Sequence, residues 1–378
     1  MNRRFILGAV SIVLSGTCMA AAQSTWHVST TGNDNNPCTL PNPCASIARA
    51  STLAMPGDTV LVEAGTYYGS FQTRASGRSS AYITYQSETP WGAVLVQGRS
   101  GSVWGNYGNY VVINGFEIVG NPLSVGVNGI YTQAEFTVIT HNKVHGILPN
   151  TCNGIGGSGI QLDSGHDEVI GNYVYQIGPQ RGSPGYPCTY VHGIYFIKPY
   201  GLAAENIVFQ TSGYGIHEWH QASDIEAVNN TVFNNGFGGI LVGNDGSQQP
   251  TQNNNSFTDN NIVYGNGKYG IHECCTKKFT GTCNVFNNNL LYDNPSAIKL
   301  QTGTQNDAPI ANPLFAHYTG DANGDYHVQS TSPAIGQGLM SDRNSCGISV
   351  KFPAYDFSGN PRPKPRGTAF DIGAYESE

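Results

Sequence analysis

The sequence predicts an all-β protein whose short strands stack as a parallel solenoid. Two observations carry the prediction: a composition rich in turn formers and poor in charge, and two sequence ladders that recur in phase. Gly supplies 48 of 378 residues, about 13% against an ordinary ~7%, and Asn supplies another 36. Only 11% of residues are charged, less than half of the ~25% usual in soluble domains. That excludes a charge-laced helical bundle, a coiled coil and a charge-rich disordered chain. Gly and Asn at this level, beside Val, Ile, Thr and Tyr, describe many short strands joined by tight turns. Hydrophobic residues, at 39%, suffice for a core. The formal net charge of −7 argues against nucleic acid or an anionic membrane as a partner.

In chain order, residues 1–22 read as a secretory signal peptide. Arg3 and Arg4 precede an apolar stretch from Phe5 to Leu14, then small residues through Ala22. The stretch is too short to remain as a membrane span, and no later segment is apolar for long enough. The expected location is extracellular or periplasmic. Removal of the signal takes Cys18 with it and leaves eight cysteines, which in an oxidising compartment read as four disulfides. Cys38 and Cys44 suit a local staple, and Cys152 with Cys188 brackets a long excursion. Cys274, Cys275, Cys283 and Cys346 supply two more bridges in an order the spacing leaves open.

Residues 23–310 carry the ladders. A Gly-Ile or similar pair opens a short strand at Ile130, Ile160, Ile194, Ile216, Ile240, Ile271 and Ile298, at spacings of 22 to 34 residues. In phase with it runs Asn at 142, 172, 206, 230, 261 and 289, each followed by an apolar pair and usually an aromatic. A repeat of that length, all strands and turns, is one rung of a solenoid that buries its Ile, Val and aromatic residues against the next rung. Asn residues stacked at one corner hydrogen-bond up and down the stack. Roughly ten rungs are expected, with surplus residues in corner loops such as Pro179 to Pro187. A disulfide-stapled cap closes the N-terminal end, and residues 311–378 form a C-terminal cap.

Particular motifs narrow the fold. The opening Trp26-His27-Val28-Ser29, Gly32-Asn33-Asp34, Pro56-Gly57-Asp58-Thr59-Val60 and Ala64-Gly65-Thr66-Tyr67 resembles that of secreted right-handed parallel β-helix proteins of the pectate-lyase-like superfamily. The closing Asn312-Pro313-Leu314-Phe315, Asp325-Tyr326-His327-Val328, Ser332-Pro333-Ala334-Ile335 and Asp371-Ile372-Gly373-Ala374-Tyr375-Glu376 is similar to theirs as well. The resemblance implies a right-handed parallel β-helix with N- and C-terminal caps. It does not choose an activity, because the superfamily holds lyases, hydrolases, epimerases and non-catalytic proteins. Its lyases commonly pair a Lys or Arg base with Ca²⁺ held by carboxylates, yet this sequence lacks a cluster of three or four Asp on neighbouring rungs.

Strand alternation locates candidate chemistry. If each ladder Ile points inward, the next residue points out: Tyr131, Gln161, Tyr195, His217, Leu241, His272 and Lys299. Two positions further lie Asp163, Trp219 and Cys274. With His192, Lys198 and His220 this surface gathers imidazoles, a phenol, an amine and an indole on successive rungs, as a sugar cleft would. The leading reading is β-elimination on an extracellular, uronic-acid-containing polysaccharide. It takes a base from Lys198, His217 or His220 and an acid from Tyr195. Trp219, His192, Tyr131, Gln161 and Lys299 are expected to bind substrate. Ca²⁺ would rest on Asp163 and Asp167. The alternatives are a glycoside hydrolase using Asp163 with Glu218, if Glu218 faces out, and a non-catalytic glycan-binding rod. The repeated Tyr-Gly-Ile-His-Glu at 214–218 and 269–273 suggests a structural slot, with Glu218 and Glu273 turned inward. A monomer is expected.

Overall fold

The computed structural model describes residues 23–122, 128–147, 152, 156–247 and 252–377, so the expected signal peptide lies outside the described residues. The chain winds through three parallel sheets of nine strands each, nine rungs where about ten are expected. The first sheet runs from Thr25–Val28 to Phe257–Asp259 and the second from Gly65–Gly69 to Leu290–Tyr292. The third runs from Phe71–Thr73 to Ser296–Lys299. A five-residue helix, Ile47–Ser51, packs near the N-terminal end beside the Cys38–Cys44 disulfide. The other bridges are Cys152–Cys188, Cys274–Cys275 and Cys283–Cys346. No helix among the described residues is long and apolar enough to cross a membrane.

The Ile ladder is a column of the third sheet. Ile130, Ile160, Ile194, Ile216, Ile240, Ile271 and Ile298 pair rung to rung. All but Ile298 are fully buried, each contributing roughly 1.5–3 kcal/mol. The glycine before five of these Ile also has a packing reason. A Cβ on Gly129, Gly159, Gly193, Gly215 or Gly239 would fall 2.4–2.5 Å from Cγ1 of Val144, Val174, Val208, Val232 or Val263. The two ladders therefore lock across the solenoid interior.

The Asn ladder fills the corner between the first and second sheets. Each side-chain amide of Asn142, Asn172, Asn206, Asn230 and Asn261 donates to the Oδ1 of the next Asn at 3.0–3.1 Å, ending on Asn289. The residue before each ladder Asn adopts a left-handed φ of 52–65°, which turns the chain sharply enough to bring the Asn inward. A second ladder, Asn235–Asn266–Asn294, stands at the corner leading to the third sheet.

One expectation is overturned. The aromatics after the ladder valines do not join the interior: alternation turns them outward. His145, Tyr175, Phe209 and Phe233 stack on the outer face of the second sheet at 4.7–5.1 Å. The C-terminal segment covers this face with Phe315, Tyr326, Ala334 and Ile372. It also lays Val350, Phe352 and Phe370 against Ala204, Val228 and Phe257 of the first sheet. Buried Arg362 ties the segment down, its Nη2 2.6 Å from Glu205 Oε2 and its Nη1 hydrogen-bonded to Glu376. The third sheet differs: among the described residues, none beyond Cys274 lines the cavities along its outer face.

Candidate active site

On that face the outward row is in register. Tyr131, Gln161, Tyr195, His217, Leu241, His272 and Lys299 stand opposite one another in turn. Two cavities open along it. One, of about 640 Å³, is lined by Gln72, Tyr107, Tyr131 and Gln161 among others. The next, of about 540 Å³, gathers His192, Tyr195, His217, Trp219 and His220 with Tyr214, Asp245, Lys268, Tyr269 and His272.

Two buried imidazoles form the centre of the second cavity. His192 Nδ1 and His217 Nδ1 lie 2.7 Å apart, so one must donate and the other accept. Burial, reinforced by His220, lowers the His192 imidazole to about 3. Burial followed by the field of His192, His220 and His272 holds His217 well below the ordinary range. Both are therefore neutral. His217 Nε2 is buried without a hydrogen-bond partner. In the tautomer whose His217 Nδ1–H donates to His192, that nitrogen carries a free lone pair.

Tyr195 packs its ring centroid 4.4 Å from His192 and 5.1 Å from His217. Burial, then the charges of Asp163 and Asp245, push its phenol well up and keep it protonated. His220 lies 6.4 Å from Tyr195; burial lowers it, while Asp245 and Asp163 pull it back up. Lys198 hydrogen-bonds Gln221, and its charge reaches His220. Trp219 presents its ring edge-on to His217 at 5.2 Å.

The remaining expected residues fall elsewhere. Tyr131 and Gln161 line the first cavity, and Tyr131 donates its hydroxyl to Asp163 Oδ2 at 3.1 Å. Lys299 is exposed, 5.6 Å from the Tyr269 ring centroid. Asp167 is not brought to the cleft. The third-sheet strand ends at Leu162, and the following turn carries Asp167 into the corner. There it accepts from Thr137 N at 2.9 Å and Ser164 Oγ at 2.7 Å. His166 joins a ring stack between Phe136 and Tyr200 at the same corner. Asp163 and Asp167 thus do not form a cation site. Among the described residues, no three His, Cys, Asp or Glu side chains are grouped to hold a metal. The many-oxygen cage that Ca²⁺ takes is not matched by these residues.

Glu218 faces inward, fully buried, with Ser256 Oγ donating to it at 2.7 Å. That removes the Asp163–Glu218 pair from consideration. Glu273 accepts three backbone N–H groups, from Gln301, Thr302 and Gly303, at 2.6–2.9 Å. Tyr214 and Tyr269 escape strict alternation, which would bury them beside the Ile ladder. Because the intervening glycine faces the interior along with its Ile, the residue before it turns out to the cleft. Tyr214 then spans a whole rung to reach His272 Nδ1 at 3.0 Å. Gly238, on the rung between, makes room: a Cβ there would meet the Tyr214 ring at 2.5 Å. The two pentapeptides, two rungs apart, were the sequence signal for this link.

Comparison with known proteins supports the same frame. No protein-family model matches the chain, and no curated protein matches it in sequence. Among solved structures, pectate lyase Pel9A is similar over 95% of this chain and 97% of its own, at 15% identity and a TM-score of 0.60. A rhamnogalacturonan lyase covers 82% of this chain and 96% of its own, at 13% identity and a TM-score of 0.52. The xylose complex of XylC covers 94% and 98%, at 11% identity and a TM-score of 0.50. At such identities the likeness speaks for the fold. The chain is a parallel β-helix of the pectate-lyase-like fold.

Proposed function

We propose that the chain is a secreted enzyme that cleaves a uronic-acid-containing polysaccharide by β-elimination in the His192–Tyr195–His217 cavity. The observation that carries this reading is a neutral, buried His217 whose unpartnered Nε2 shares one cavity with a protonated Tyr195. His217 Nε2 takes the proton from the carbon α to the uronate carboxyl. The bond to the leaving glycosidic oxygen breaks, a carbon–carbon double bond forms, and the Tyr195 hydroxyl gives its proton to that oxygen. His192 holds the tautomer of His217, a positioning role. Lys268, in the cavity wall, and Lys299, beyond it, offset the carboxylate charge and make the α-proton easier to remove. The cavity beside Tyr131 and Gln161 gives the rest of an extended chain a place along the same face.

Four disulfides support secretion, and a face clear of C-terminal chain suits a long substrate on a monomer. A second reading, hydrolysis, would draw on the carboxyls of this face: Asp245 lines the cavity, and Asp163 accepts from the Tyr131 hydroxyl beside it. Incubation with pectate, alginate and glycosaminoglycans separates the two. Elimination yields new reducing ends together with the ultraviolet absorbance of an unsaturated uronate. Reducing ends without that absorbance would favour the hydrolase, and neither signal would leave a non-catalytic rod.

A further inference from the structure

The disulfide Cys274–Cys275 has no evident stabilising task. Linking adjacent residues closes no loop of chain, so it contributes none of the loop-closure stabilisation that a bridge such as Cys283–Cys346, spanning 63 residues, provides. It also differs in place. Cys274 ends the cleft strand Tyr269–Cys274 and lines the same cavity as His217. It belongs to an apolar cluster with Tyr214 and Leu241, against which Trp219 and Phe237 pack. Cys275 next to it is exposed.

Gly243 stands directly opposite Cys274, and a Cβ at that position would come within 2.0 Å of the Cys274 carbonyl oxygen. Glycine is therefore required at that position. The loop that follows carries Lys277 and Lys278, both exposed.

We propose that Cys274–Cys275 is a sugar-binding surface: with Trp219 and Leu241 it forms an apolar platform for a pyranose ring beside the one that is cleaved. This rests on the polysaccharide reading of the cleft. A bridge between neighbours presents two polarisable sulfurs as one fixed face, so binding on it costs little side-chain entropy. The C–H face of a pyranose lies on that surface, and the ring's carboxylate points to the cations of the adjoining loop. The disulfide acts in binding and takes no part in bond cleavage.

The test compares wild type, the double variant C274S/C275S and Trp219→Ala, each purified with the other three disulfides intact. Trisaccharides of galacturonate and of mannuronate are titrated calorimetrically, and cleavage kinetics are run on the parent polymers. The expected result is a roughly five- to twentyfold weaker trisaccharide affinity and higher KM for both variants, with kcat within about threefold of wild type. Combined, the changes should weaken binding by less than the product of their separate effects, because they share one platform. Unchanged affinity and KM in C274S/C275S would overturn the inference while leaving the cleft reading intact. Should the double variant not fold, the bridge is structural and the inference falls. Wild type that binds neither trisaccharide would overturn the inference, and wild type that in addition cleaves none of pectate, alginate and glycosaminoglycans would overturn both.

Discussion

His217 owes its protonation state to where the strand places it. A pair of imidazoles sharing one proton between their Nδ1 atoms inside an apolar wall cannot easily take up a charge, so both stay neutral where an exposed histidine would titrate. Tyr195 is displaced the other way and stays protonated. Both displacements widen the range in which base and acid are correctly protonated. On the acid side kcat should therefore hold well below the ordinary histidine midpoint of ~6.5, and a pH–rate profile that falls at that midpoint would contradict the assignment. Stability carries the same signature. His192 binds its proton near pH 3 when folded but near ~6.5 when unfolded, so its contribution is complete above the unfolded value and is lost as pH falls toward the folded one. Gly238→Ala tests the spacing that lets Tyr214 reach His272. The added methyl should displace the ring, cost about 1–3 kcal/mol in thermal unfolding and weaken substrate binding.

Much of the element scale could be read from the chain itself. Seven Ile and six Asn in phase specify the rungs because each must pair with its own kind one rung away, and their registers run unbroken. What alternation missed has local causes. Tyr214 and Tyr269 face the cleft because the glycine between each and its Ile occupies the interior, a backbone choice with no two-residue signature. Asp167 left the expected site because the strand ended at Leu162, five residues before it. The His192–His217 contact, made between adjacent rungs, appears only once the register is known. The Asn ladder also yields a prediction. Asn206→Ala removes an amide that donates to Val169 O and Asn230, and an oxygen that accepts from Asn172. Left buried and unpaired, these partners should destabilise the fold by about 2–3 kcal/mol in denaturant unfolding. A change below about 0.5 kcal/mol would show the ladder to be incidental.

At the scale of the whole molecule, the C-terminal segment decides which faces are covered. It seals the outward aromatics of the second sheet and the later strands of the first, while the two cavities of the cleft lie along the third sheet's outer surface. Arg362 is the fastening, buried between Glu205 and Glu376. Arg362→Met would leave two buried carboxyls unpaired and should cost about 3–5 kcal/mol, exposing the Phe209–Phe233 stack to an apolar dye before the solenoid unfolds. The cleft itself makes no contact with Arg362, so residual activity at low temperature should be little changed. The claim on which the account turns is that His217 and Tyr195 carry out an elimination on this open face. Its most direct measurement is the rate of unsaturated-uronate formation by wild type, His217→Ala and Tyr195→Phe, with oligouronide affinity measured alongside. The account predicts product from wild type, a loss of roughly 10²–10⁴-fold in kcat for each variant, and affinities close to wild type. Full activity in both variants would contradict it.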